Sequence, residues 1–191
     1  MLEANIMYKS FESRHITTIE WYTPRFIFNA LNMVFDLDPC SPGKNIVPWI
    51  PAKVHYTMQD NGLKRKWFGT VFLNPPYGRD TGKWLKRMTK HKRGIALLFS
   101  RTDNKWFHEY VSTADAICFI RKRISFIPST KAILYAKNKW NIRKDTFIDI
   151  DGKSKRSQTG NGSMLVAWNK ICVDALKQSN LGLITIIGNK S

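Results

Sequence analysis

Asn74-Pro75-Pro76-Tyr77 is the stretch of this 191-residue chain whose residue types and spacing point to chemistry. Two successive prolines fix two φ angles and remove two backbone donors. Their carbonyls remain as acceptors aimed in one direction, beside an Asn side-chain oxygen that also accepts. An amino group is the natural guest of converging acceptors, and the tyrosine that follows can stack on a planar group carrying that amine. The alternative is a tight surface turn containing Pro-Pro by chance. A strand before the loop and an amphipathic helix after it favour the chemical reading.

The flanking pattern shows how such a loop is held. Val71-Phe72-Leu73 reads as a short strand leading into it, and Gly78-Arg79 leads out. Thr81 to Lys92 predicts a basic helix with Trp84, Leu85 and Met88 as its buried stripe. Gly94 to Phe99 is a nearly continuous apolar run, as expected of a central parallel strand buried on both faces. Upstream, Thr23-Pro24 reads as an N-cap followed by proline at the first helical position. The helix it opens leads to a strand over Val34 to Asp38, which Pro39 stops. Cys40 to Pro51 is a Pro/Gly/Ser-rich loop, and Lys53 to Met58 predicts a further strand ending near Asp60. Asp103 is the expected cap of a helix carrying Trp106, Phe107, Tyr110 and Val111. Ala116 to Ile120 and Ser163 to Trp168 read as core strands. A short helix (Ile171 to Lys177) and the apolar run Leu183 to Ile187 complete the chain.

Strand, helix, strand, helix, strand is the grammar of an open α/β sheet. Ligands of such sheets bind beyond the carboxyl ends of the strands. Asp38-Pro39 and Asn74-Pro75 both fall at predicted carboxyl ends, which predicts one shared pocket.

Composition narrows the partner. The net charge is +17, from 31 Lys+Arg against 14 Asp+Glu. A charge of that size destabilises a compact state by self-repulsion and implies an anionic partner: nucleic acid, an acidic protein or a membrane surface. No apolar run approaches the ~20 residues needed to span a bilayer. Residues 1–14 show no signal-like apolar stretch, so a cytoplasmic location, in a bacterium or a phage-infected host cell, is expected. Cys40, Cys118 and Cys172 form no C-x-x-C pair, and His15, His55, His91 and His108 are scattered, so no metal site is expected. The length predicts one domain over residues 1–191, and with no feature that indicates an oligomer, a monomer is expected.

The Asn-Pro-Pro-Tyr loop resembles the active-site loop of S-adenosylmethionine-dependent amino-methyltransferases. With Trp21-x-Thr23-Pro24, Phe35-Asp36-Leu37-Asp38-Pro39-Cys40, Asp60-Asn61-Gly62-Leu63, Arg101-Thr102-Asp103, Trp106-Phe107 and Gly162-Ser163-Met164-Leu165-Val166, the chain is similar to the phage-type (Dam-like) DNA N6-adenine methyltransferases, from about Trp21 to Trp168. The resemblance implies a Rossmann-like class I methyltransferase fold: an α/β three-layer sandwich with a mostly parallel sheet. It implies Asn74, Pro75, Pro76 and Tyr77 as catalytic residues. It implies an S-adenosylmethionine site built from Trp21, Thr23, Pro24, Asp38, Pro39, Cys40 and Asp60. Asp-Pro-Cys-Ser-Pro-Gly stands where many nucleic-acid methyltransferases carry a glycine-rich loop. The interval from Asp38 to Val71 is also short for the usual run of elements, so the expected sheet is trimmed of one or two.

The alternatives for the acids are ordinary turn chemistry: a turn or cap aspartate at Asp38, and a D-N-G turn at Asp60. No base near Cys40 supports thiolate chemistry. On the substrate side, Arg79, Lys83, Arg101, Arg121, Lys122, Arg123 and Lys131 are the expected DNA-binding residues. Residues 121–160 are expected to form a basic insertion used in target recognition, with Tyr135 and Trp140 as base-reading aromatics or core anchors. The expected partner is double-stranded DNA containing the target adenine. The competing readings are an RNA base or a protein glutamine amide as acceptor, or a non-catalytic DNA-binding module on the same fold.

Overall fold

The computed structural model describes residues 21–129 and 161–188. Lys131, Tyr135 and Trp140, and with them most of the expected basic insertion, lie outside the described residues. The described elements are β1 (Trp21–Tyr22), α1 (Arg25–Leu31), β2 (Phe35–Asp38), β3 (Ala52–His55), β4 (Val71–Leu73), α2 (Thr81–His91), β5 (Gly94–Phe99), α3 (Lys105–Tyr110), β6 (Ala116–Ile120), β7 (Ile127–Pro128), β8 (Ser163–Trp168), α4 (Lys170–Gln178) and β9 (Gly182–Ile186).

Seven strands form one sheet in the order β3-β2-β4-β5-β8-β6-β9, while β1 and β7 pair as a separate two-stranded ribbon. The half from β3 to β5 is parallel. β8 enters antiparallel between β5 and β6, and β9 is antiparallel to β6. β6 therefore points the same way as β5. The expected mostly parallel sheet is thus met in one half only, because β8 and β9 run against the rest. An apolar run carries no mark of its direction. A single strand, β3, stands between β2 and β4 in sequence.

Alternation along the buried strands divides the interior. Ile95, Leu97 and Phe99 join Phe28, Phe35, Phe72, Cys172 and Leu176 in one core. Ala96 and Leu98 join Leu85, Met88, Val111 and Trp168 in the other. Helices α1 and α4 pack together on the first face and α2 with α3 on the second. All six residues of β5 and all six of β8 are buried. Each fully buried large apolar side chain contributes roughly 1.5–3 kcal/mol. Trp84, Leu85 and Met88 form the inward stripe of α2, as their spacing predicts, with Thr81 added to it.

Two expected caps are not made. Pro24 itself is the N-cap of α1, in extended conformation (φ −71°, ψ 152°), without a side-chain cap bond. Thr23 lies one residue earlier, with its hydroxyl engaged elsewhere. Helix α3 starts after Asn104, not Asp103, also without a side-chain cap. Strand β3 is shorter than expected, and the tail run becomes an edge strand with Leu183 71% and Ile186 52% exposed. Ile124 to Ser129, inside the segment expected as an insertion, are buried. Among the described residues, no helix is long and apolar enough to cross a membrane.

Candidate active site

Parallel packing of β2 against β4 and of β4 against β5 brings their carboxyl ends to one edge of the sheet. The loops leaving that edge hold Asp38 to Ser41, Asn74 to Tyr77, and Ser100-Arg101. β6 shares the direction of β5, so Arg121, Lys122 and Arg123 leave the same edge, all exposed.

Asn74 is half-buried, and its amide is held from behind. Its Nδ2 donates to the Trp21 carbonyl (3.3 Å) and to Thr23 Oγ1 (3.2 Å). Thr23 is fully buried, and its own carbonyl accepts from Trp49 Nε1 at 2.9 Å. The Tyr77 hydroxyl, which has one proton, lies 3.1 Å from Asn74 Oδ1 and 3.2 Å from the Leu97 carbonyl. The Tyr77 ring stacks on Phe99 with centroids 3.9 Å apart and planes 20° from parallel. Burial, and then the neighbouring Cys40 thiol, push the Tyr77 pKa up, so the phenol stays a neutral donor. The two proline carbonyls are not equivalent. That of Pro76 accepts from the Thr81 hydroxyl (2.9 Å), whose oxygen in turn receives the Gly78 N–H (3.0 Å). Pro75 is buried and Pro76 exposed.

Asp38 is buried at the end of β2, where desolvation raises its pKa to about 7 against hydrogen bonds from the Cys40 amide and the Ser41 hydroxyl. Its closest cationisable neighbour among the described ion pairs is His55 on β3, with Nδ1 3.8 Å from Asp38 Oδ2 and both side chains 4% exposed. Burial, then the charge of Lys44, press the His55 pKa down despite the hydrogen bond to Ala52 O. His55 Nε2 lies 3.1 Å from that carbonyl and so carries the proton. Nδ1 is then an acceptor 2.9 Å from the Ser41 hydroxyl, whose one proton serves either it or Asp38. Asp38 is therefore a buried carboxyl beside a neutral imidazole, a donor set suited to a cationic group such as an ammonium.

The Asp60 loop lies against this one. Gly62 packs where a Cβ would collide with the Pro39 carbonyl, so only glycine permits the approach. Asp60 Oδ2 accepts from the Thr57 amide and hydroxyl, both at 2.9 Å, and Oδ1 from Arg65 at 2.7 Å. Hydrogen bonds from Thr57 hold its pKa below the usual carboxylate value. In the structure Asp60 thus anchors its own loop. Cys40 and Trp21 are half-buried, and Pro24 and Pro39 buried. Among the described residues no group of three or more His, Cys, Asp or Glu could hold a metal ion.

The basic residues divide by place. Arg79 is exposed on the motif loop, and Lys83 is paired with Asp80 at 2.7 Å. Arg101 lies over the Phe99 ring, 5.7 Å from its centroid. On the flank of α2, a groove of about 300 Å³ is lined by Leu63, Lys83, Lys86, Arg87 and Lys90. Arg87 is fixed there by hydrogen bonds to the Leu63 and Arg65 carbonyls and by its place over Trp67. Sequence reasoning missed His55, Ser41, Phe99, Trp49 and the Leu97 carbonyl. None stands in a local pattern that marks it, and each reaches the site through the fold.

Comparison with curated proteins and with solved structures finds no match. A family model described as DNA N-6-adenine-methyltransferase (Dam) matches residues 15–182.

Proposed function

The chain belongs to the DNA N-6-adenine-methyltransferase (Dam) family, and from that premise we propose that it methylates N6 of an adenine flipped out of duplex DNA, with S-adenosylmethionine as donor. The observation that carries the reading is Asn74-Pro75-Pro76-Tyr77 leaving β4 beside the buried Asp38 loop at one sheet edge. Helices on both faces of the sheet and the parallel half from β3 to β5 support a trimmed class I methyltransferase architecture. When bound, S-adenosylmethionine supplies an electrophilic methyl group on a sulfonium sulfur. Asp38 is the residue to hold its ammonium or ribose hydroxyls. Trp21, Pro24, Pro39 and Cys40 form the surrounding wall, and the Asp60 loop closes it.

Adenine N6 is a poor nucleophile because its lone pair is delocalised into the ring. Asn74 Oδ1 and the Pro75 carbonyl accept from its two N–H groups and favour a more tetrahedral, more nucleophilic nitrogen. The Tyr77 hydroxyl turns its hydrogen bond to the Leu97 carbonyl as the amine takes its place on Asn74 Oδ1. The Tyr77 ring face opposite Phe99 stacks on the base and replaces part of the stacking lost on flipping. Held so, the reaction needs positioning more than a strong base. The methylated amine is acidic enough to lose its proton afterwards. Arg79, Lys83, Arg101, Arg121, Lys122, Arg123 and Lys131 neutralise phosphates around the flipped base.

Transfer of labelled methyl groups to unmethylated DNA, RNA and protein acceptors tests the reading. The expected product is N6-methyladenine in DNA alone. Asn74→Ala is expected to lower the rate by roughly 10²-fold or more while cofactor binding, read by calorimetry, is kept. Full activity of that variant overturns the assignment.

A further inference from the structure

We infer that Thr23 is a positioning residue: with the Trp21 carbonyl it clamps the Asn74 amide so that the oxygen, not the NH2 group, faces the amine to be methylated. The inference rests on the role given to Asn74 above and assigns Thr23 a task other than holding cofactor.

The need arises because the motif begins with an amide. A carboxylate presents two equivalent oxygens, but an amide presents an acceptor at one end and a donor at the other, with nearly the same shape. Turned the wrong way, Asn74 would meet an incoming N–H with its own N–H and repel it. The group that settles the direction must therefore lie behind Asn74.

Two acceptors lie there. The Trp21 carbonyl can only accept, so the end of the amide that faces it at 3.3 Å is Nδ2. Thr23 Oγ1 takes the second amide proton at 3.2 Å, so neither N–H is left unpaired in a closed environment. The oxygen then points forward, where the Tyr77 hydroxyl meets it. Thr23 is suited to this task because it is fully buried, away from competing water. Its backbone is tied at the carbonyl by Trp49 Nε1. It stands just before Pro24, whose extended geometry at the start of α1 fixes the chain direction at the clamp. The contact also explains why Thr23 does not cap α1.

Thr23→Val keeps the shape and removes the acceptor, leaving one buried amide N–H unpaired. The clamp predicts that kcat falls roughly 10-fold, with KM for DNA and Kd for S-adenosylmethionine unchanged. Thr23→Ser, which restores the hydroxyl, is expected to regain most of the rate. Trp49→Phe, which loosens the Thr23 backbone without touching its side chain, serves as the second variant, and a smaller kcat loss is expected of it. A raised cofactor Kd with kcat intact at saturation overturns the inference and returns Thr23 to the cofactor wall. Unchanged kinetics in both Thr23→Val and Trp49→Phe also overturn it. Asn74→Ala, measured alongside, separates the two levels. If it remains active, the role of Asn74 itself fails; if it alone is inactive, only the clamp does.

Discussion

At the residue scale, the role proposed for Asp38 makes cofactor affinity depend on pH. Its folded pKa of about 7 lies above the ordinary carboxyl value of 3.8 because desolvation outweighs the bonds from Cys40 and Ser41. The folded state therefore binds this proton more tightly than the unfolded chain does. The contribution of Asp38 to stability falls as pH rises from about 4 to about 7. A cationic ligand has the opposite preference, since it needs the ionised form. Affinity for S-adenosylmethionine is expected to rise by up to about tenfold per pH unit below pH 7 and to level off above it. His55, with its pKa pressed down by burial and Nε2 bonded to the Ala52 carbonyl, is harder to charge than a free imidazole. Calorimetry across pH checks this: Asp38→Asn should bind more weakly and with a flat profile, whereas an unchanged slope would detach Asp38 from the cofactor. Asp38 and Asn74 were legible in the sequence because each stands before a proline at the end of an apolar run. The Thr23–Asn74 contact was not, because it joins residues 51 apart that no periodicity relates.

At the scale of elements, α2 connects the motif loop to the basic flank. Its apolar stripe faces the core, which leaves Lys83, Lys86 and Lys90 turned outward beside the Leu63 loop. Arg87 is spent on two carbonyls and the face of Trp67, so it shapes the groove more than it offers charge. If the proposed function holds, Lys86 and Lys90 are the pair expected to neutralise DNA phosphates. Replacing either with Ala is expected to weaken binding across DNA sequences and to reduce the salt slope by about 1 each. Titration at several ionic strengths reads this directly; a slope that stays put assigns these lysines to solvation alone. Helix α2 and strands β5 and β8 could be read from sequence because their patterns are long and consistent. The two missed caps show the opposite case. A Thr or Asp before a helix signals an N-cap only if its side chain is free to turn back. Thr23 is not free, because Asn74 holds its hydroxyl. The reversed direction of β8 was likewise unreadable, since Ser163 to Trp168 is equally apolar from either end.

For the whole molecule, the charge of +17 sets the conditions under which the fold is comfortable. Several acids are already committed locally, as in the pairs Lys53–Asp36, Arg65–Asp60 and Lys170–Asp174. Such exposed pairs each contribute roughly 0–1 kcal/mol and leave the long-range repulsion in place. Added salt screens that repulsion, so the thermal midpoint should rise from low to physiological ionic strength. A midpoint that falls over that range would show that local pairs, not net repulsion, dominate. The sheet order has a further consequence, for the chain as it is being made. β8 is the shared partner of β5 and β6, yet β6 ends at Ile120 and β8 begins only at Ser163. A nascent chain therefore leaves the ribosome with two apolar strands whose inner edges face a gap, and the strand that fills it is made after both of them. The high sequence separation of those pairings makes closure slow. Until Trp168 has emerged, β5 keeps one edge and β6 both edges without their described sheet partners, and a chaperone, or a neighbouring nascent chain, can reach them first.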